Sequence, residues 1–398
     1  MKDPIRKITH KDGSVRYRLV VDIGVTPEGK RKQLTRTFKT KKEAVAELSR
    51  IRHELKVGTF VAPNTMTLDN LLDIWLKSAT RDVEEGTASN YVSAMVPVRA
   101  HSGAKELQSL TEEDIESLID WMLTSGRRRG GKPGTGLGVR SVRLSLGRLR
   151  AAMNLAVRRG LMTRNVAEHV TISREAKKKA EANKPPEVPW NENEVKAFIA
   201  AIQHDRLHGA LMLTMIAERP AEVCGGRWEE DIDLVKGTVA VQNTRTIVYD
   251  RTLEKGSRNK VVEKETKTEA GTRVLPLPAP TIKALKSFRA IQAAEKLAAG
   301  PLYNDSGYVL VDELGNPLKT DKLRREAYRL MKVAGVRQVR LYLARHAVLS
   351  WMANNGVPDT VVSAWAGHTD LSFTKRVYVH PDPQSLKAGS EKLNELLG

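Results

Sequence analysis

Cysteine is nearly absent: Cys224 stands alone in a chain of 398 residues. A disulfide framework or a cysteine-based zinc site is therefore excluded. Long apolar runs are missing as well. No stretch of about 18 apolar residues occurs, which excludes a membrane-spanning helix. The opening residues, Met1 to Lys7, lack an apolar signal region, so a cytoplasmic protein is expected. There is no Walker lysine motif, no glycine-rich dinucleotide loop and no His/Asp/Glu cluster at metal spacing. Nucleotide hydrolysis and two-metal nuclease chemistry lose their usual support, and no metal or cofactor is expected. Hydrophobic residues still make up 40%, enough for sizeable cores and too many for a wholly disordered chain. The length suits two to four domains.

Positive charge is what the chain has in excess. Its 66 Lys and Arg against 47 Asp and Glu leave a net +19, which favours a polyanionic partner, most simply nucleic acid. The charge is unevenly placed. Residues 1–60 carry +9, residues 61–126 carry −7, residues 127–180 carry +13, and the rest carries +4. A basic tail would give one block. Two blocks around an acidic stretch predict two DNA contact regions, each steepening the salt dependence of binding.

Residues 1–60 read as a small sheet and a helix. Strands are expected over residues 5–9, 15–25 and 32–39, separated by the turn signals Lys11-Asp12-Gly13 and Pro27-Glu28-Gly29. Thr40 and Glu43 form a capping box for the following helix, whose apolar stripe is Ala44, Leu48, Ile51 and Leu55. Arg16, Arg18, Lys32, Arg36 and Lys39 make the sheet basic, and such a ribbon fits the major groove. The alternative is a solvated basic face.

Residues 65–172 read as all helix, with starts at Thr67, Thr87 and Thr111 and a long helix over 139–159. The polar face of that helix carries Arg140, Arg143, Arg148 and Arg150, and DNA phosphate is its expected target. Residues 173–189, with a lysine triplet and a proline-rich end, read as a linker that lets two domains close around a duplex. Residues 190–398 mix helices with one long hairpin, its arms over 237–249 and 261–276.

Three segments in this last part carry the chemistry. They are Ala217-Glu218-Arg219-Pro220-Ala221-Glu222, then Lys267-Thr268 through Arg273, then Tyr342-Leu343-Ala344-Arg345-His346 followed by Gly367-His368 and by Tyr378. In order and spacing they resemble the motifs of the tyrosine recombinase (phage integrase) family. The resemblance extends upstream. Residues 65–172 look like the family's helical core-binding domain, and residues 1–60 look like the arm-binding domain of integrases that recognise two kinds of DNA site.

The resemblance implies a multidomain fold. It comprises a small α+β arm-binding domain (three-stranded sheet plus helix), an all-α core-binding domain, and a mainly α catalytic domain with a β-hairpin or small sheet. It also implies the site. Arg219 and Arg345 would hold the non-bridging oxygens of a DNA phosphate; fixed guanidinium forks can stabilise a phosphorane-like transition state without a metal. Tyr378 would attack phosphorus and conserve the bond as a phosphotyrosyl ester. Lys267 would protonate the leaving 5′ oxygen, His368 would hydrogen-bond the phosphate, and Glu222 would brace its motif.

Two positions depart from the family pattern. Tyr342 stands where His is usual, and a phenol with an ordinary pKa near 10 is a poorer base at neutral pH. Tyr342 either takes part in proton transfer or only positions the phosphate, with His368 or water taking the proton. Ala217 stands where Gly is usual, a change expected to leave the arginine's role intact.

The expected activity is site-specific integration and excision of a phage or other mobile element through a Holliday junction. The expected partners are duplex attachment sites of core and arm type, three further copies of the chain, a host DNA-bending protein and an excisionase. The end of the chain, with Leu386, Leu393, Leu396 and Leu397, is a helix candidate for docking in cis or on a neighbouring subunit. Competing readings are a DNA-binding protein with an impaired site, a chromosome-dimer resolvase and a type IB topoisomerase.

Overall fold

The computed structural model describes residues 3–9, 12–25, 30–128, 131–182, 188–250, 254, 258–265 and 271–368. The chain divides into two compact units, Met1–Pro185 and Pro186–Gly398. Among the described residues, no helix is long and apolar enough to cross a membrane.

The first unit opens with an antiparallel sheet of β1 (Ile5–Thr9), β2 (Val15–Val25) and β3 (Arg31–Phe38), in the order β1-β2-β3. Helix α1 (Lys41–Val57) starts at the expected capping box, Thr40 accepting from the Glu43 N–H and Glu43 from the Thr40 N–H. Ala44, Leu48 and Ile51 of α1 meet Ile5, Leu19 and Val21 of the sheet.

Strand alternation then sorts the basic residues. Arg16 and Arg18 lie on the face opposite Leu19 and Val21, with Arg6 directly across from Arg18. Lys32 and Arg36 share their parity with Leu34 and Phe38, which pack on the core. Arg36 reaches Glu47 of α1, 2.5 Å away. A period of two puts Lys32 and Arg36 on the helix side of β3. Lys39 is exposed just beyond β3.

The helical part contains α2 (Leu68–Ala79), α3 (Glu85–Ser102), α4 (Glu112–Thr124), α5 (Val139–Arg158) and α6 (Arg174–Ala182). Thr67 and Thr111 cap α2 and α4 as expected. Helix α3 instead begins two residues before Thr87, behind Glu84. Leu71, Leu72, Val98, Ile115, Leu118 and Leu149 are buried in a shared core, each stabilising it by roughly 1.5–3 kcal/mol. Within the stretch read as a linker, α6 is a helix rich in Ala, Glu and Lys, and Ala176 packs against this core.

The second unit is built around α8 (His208–Met215), which is buried on all sides. Around it lie α7 (Glu192–Ile202), α11 (Ala279–Ala299), α12 (Thr320–Val333) and α13 (Leu341–Asn354). Two short helices, α9 (Pro220–Gly225) and α10 (Trp228–Asp231), lead into the strands. These are β4 (Ile232–Asp233), β5 (Thr238–Val241), β6 (Asn243–Tyr249), β7 (Asn259–Glu265) and β8 (Arg273–Pro276), and α14 (Asp359–Ala366) follows α13. Each arm of the expected hairpin is divided: β5 and β8 pair in a sheet with β4, while β6 and β7 form a separate ribbon. Gly225 lets α9 sit directly on this ribbon, because a Cβ there would lie 2.9 Å from the backbone of Asn243 and Thr244.

Candidate active site

Arg219 is the residue before α9, and its neighbours fix it from both sides. Pro220 starts the helix, where a missing N–H costs nothing. Glu222, one turn on, accepts the Arg219 backbone N–H at 2.8 Å and its guanidinium at 2.5 Å. The other end of the Arg219 guanidinium donates to the carbonyls of Ala366 and Gly367, at 3.2 and 3.3 Å. Its side chain is 33% exposed, so it reaches the surface.

Arg345, on the second turn of α13, is fully buried. It donates to the carbonyls of Ala217 and Ala366. Arg273, at the start of β8, donates to the Trp365 carbonyl at 2.8 Å and holds Glu222 with two nitrogens, at 3.0 and 3.3 Å. Three guanidiniums from three parts of the chain thus converge on the last turn of α14. A helix C-terminus leaves carbonyls without partners and carries partial negative charge, so it is a natural seat for cations.

The same turn places His368. Gly367 adopts φ 63°, a left-handed conformation that glycine takes at little cost. It reverses the chain so that the His368 N–H bonds the Ser363 carbonyl at 3.1 Å. Desolvation, followed by the charges of Arg345 and Arg219, pushes the imidazole pKa down to about 4. His368 is therefore neutral at pH 7. Glu222 is 2% exposed at its side chain; burial pushes its pKa up, but the bonds and charges of Arg273 and Arg219 outweigh this and hold it below the usual carboxylate value.

Ala217 sits at φ 70° and is buried. In the left-handed region a Cβ costs roughly 1–2 kcal/mol. The change from the family's usual glycine is thus strained, although Arg219 and Arg345 are still in place around it. Trp365 ties the two segments together, its indole N–H donating to the Ile216 carbonyl at 2.8 Å. Tyr342 is 40% exposed on the first turn of α13, with its ring edge-on to His346 at 4.7 Å between centroids. Lys267, Tyr378 and the helix candidate beyond residue 381 lie outside the described residues. Among the described residues, no group of three or more His, Cys, Asp or Glu is placed to hold a metal ion.

The arginines expected on DNA fall into distinct settings. Arg140 and Arg143 are exposed on α5. Arg148 lies over the Tyr91 ring at 3.9 Å, and Tyr91 in turn stacks on Trp75. Arg150 donates to the carbonyls of Ala167 and Val170, fastening the segment after α5. Those carbonyls have no partner in a regular element, and a guanidinium within reach satisfies them.

The role of Arg273 is not legible in the sequence. Its signal was present, since it ends the Lys267 motif, but its purpose depends on Glu222, 51 residues away. Glu218 was also passed over, although it is 3% exposed beside the arginine cluster.

A basic cluster thus surrounds one helix end, with His368 at its rim. Residues 190–385 match the phage integrase family, and residues 4–55 match the arm DNA-binding domain. A XerC-like tyrosine recombinase of Caldanaerobacter subterraneus subsp. tengcongensis is 28% identical over 97% of both chains. The ICEBs1 integrase of Bacillus subtilis is 22% identical, over 96% of this chain and 97% of its own. Among solved structures, the Tn1549 transposon integrase in complex with transposon right end DNA is similar at a TM-score of 0.63 and 18% identity, covering 83% of this chain and 100% of that one. A lambda integrase tetramer bound to a Holliday junction is similar at 0.54 and 17%, over 96% and 98%. The chain belongs to the phage integrase family and is a tyrosine recombinase of the arm-binding integrase type.

Proposed function

We propose that the protein integrates and excises a phage or other mobile element by cutting and rejoining attachment-site DNA through a 3′-phosphotyrosyl intermediate. The observation that carries this reading is the convergence of Arg219, Arg273 and Arg345 on the end of α14, beside His368. Such a cluster is preorganised for the charge that develops as a phosphodiester is attacked. Arg219, partly exposed, binds one non-bridging oxygen directly. Arg345 binds another when one of its carbonyl partners yields a donor. Neutral His368 bonds the phosphate and can take up a proton.

Tyr378 is the nucleophile in this reading. Its oxygen bonds to phosphorus, the 5′ oxygen leaves with a proton from Lys267, and attack by a 5′ hydroxyl reverses the step. Tyr342, exposed beside His346, orients the phosphate. Residues 1–60 bind arm sites through the face of Arg16 and Arg18, residues 65–172 bind the core site, and residues 190–398 perform the chemistry. Four copies exchange strands in two pairs through a Holliday junction, in a bacterial cytoplasm, with a host DNA-bending protein and an excisionase setting direction.

The test is covalent capture on a nicked attachment-site duplex. The wild type forms a protein–DNA adduct and Tyr378→Phe does not. An adduct formed by Tyr378→Phe would overturn the assignment of the nucleophile.

A further inference from the structure

Glu218 has no part in the scheme above. It lies between Ala217, whose carbonyl receives Arg345, and Arg219 itself. It is 3% exposed, and its Oε1 has no hydrogen-bond partner among the described residues. A carboxylate in that position would be a buried charge with an unbonded oxygen, which is costly. The groups that face it are Glu222 of α9, Asp231 of α10, Arg273 of β8 and Arg345 of α13, with His368 against the same two arginines.

The neighbouring acids already have partners. Glu222 takes Arg219 and Arg273, and Asp231 takes the Arg227 backbone N–H at 2.8 Å and Gln242 at 2.7 Å. Glu218 therefore meets two compensated carboxylates in a desolvated place. Burial first, then the charge of Glu222, pushes its carboxyl up to about 8.

We propose that Glu218 is a charge-setting residue for strand cleavage: as the neutral acid it leaves the arginine cluster its attraction for the scissile phosphate, and as the carboxylate it competes with that phosphate. One unit of positive charge is removed from the cluster when Glu218 ionises. At neutral pH the residue is mostly protonated and the cluster is ready for phosphate. Glu218 acts through Arg273 and Arg345 and makes no contact with DNA. The proposal rests on the cleavage reaction described above.

The experiment measures adduct formation by the full-length protein on a nicked attachment-site duplex between pH 7 and 9. Glu218→Gln keeps the shape of the protonated acid and cannot ionise; Glu218→Met is a second uncharged reference. The ratio of wild-type rate to variant rate falls about tenfold across this window, as the neutral fraction of a group titrating near 8 requires. Taking the ratio cancels the titration of other groups.

A second arm reads Glu218 without the reaction, from thermal unfolding of the DNA-free protein. A carboxyl raised in the folded state favours folding when protonated. The wild type therefore loses stability relative to Glu218→Gln as pH rises from about 5 to 8, and the difference is constant above that. Parallel rate profiles for the wild type and both variants would overturn this proposal alone. Absence of adduct with wild type at every pH would overturn the cleavage reading and this proposal with it. A stability difference that does not change with pH would show that Glu218 is not the titrating group.

Discussion

Replacing Glu222 with alanine removes an anion that three guanidiniums share. The side chains of Glu222, Arg345 and Arg273 are 2%, 1% and 7% exposed, so water cannot take its place. Removing one partner of a buried ion pair costs about 3–5 kcal/mol, because the charge left behind is desolvated and unpaired. The Arg219 backbone N–H loses its acceptor too, at roughly 1 kcal/mol. These contributions share one side chain and do not add fully, so we expect about 4 kcal/mol in total. For a unit of this size that lowers the melting temperature by roughly 8–16 °C.

Thermal unfolding followed by circular dichroism measures this effect, and a double-mutant cycle with Arg273→Met isolates its source. Coupling of about 1 kcal/mol or more is expected between the two sites. The depressed Glu222 pKa also gives the wild type a stability increment that is present above the ordinary carboxylate range and is lost as pH falls through its folded value; the variant lacks it. A Glu222→Ala protein within 1 kcal/mol of wild type, or one whose effect simply adds to that of Arg273→Met, would refute a shared buried anion.

Two further outcomes follow from the geometry. Ala217→Gly, at φ 70°, should be neutral or stabilising by up to about 1 kcal/mol in chemical denaturation, whereas a buried Ala→Gly change elsewhere destabilises; a clear loss would show that the left-handed backbone is not strained. Arg150→Ala should cost about 2 kcal/mol of stability while leaving the salt dependence of DNA binding unchanged, whereas Arg143→Ala should lower the salt slope by about 1 and leave stability alone; the opposite pattern would reverse these two assignments.

Much of the fold was legible because its signals are local. Thr40 with Glu43 and Thr67 with Asn70 are caps completed within three residues. The start of α3 was misplaced because Glu84 makes no side-chain cap for a reader to find. Net charge alone does not say which face of the sheet Arg36 and Lys32 take; strand parity does. Arg150 sits on a helix face that looks solvent-directed by periodicity, yet the segment after α5 folds back over it. No periodicity within one helix reveals what another segment will place against it.

The active site divides in the same way. Arg219, Arg345 and His368 could be named from motif order, since each is the right chemical type at the right point in the chain. Residue type and spacing alone also determined the charge blocks, the caps, the apolar stripes and the family. Only the tertiary structure decided what those residues touch. It brought Arg219, Arg273 and Arg345 to one helix end, set Glu222 among them, put Ala217 in a left-handed turn beneath Arg345, and buried Glu218 with an unpaired oxygen. The physical reason is distance along the chain. A cap or a stripe is settled within a few residues, whereas desolvation and charge pairing depend on groups such as Arg219 and Gly367, 148 residues apart, that meet only after folding.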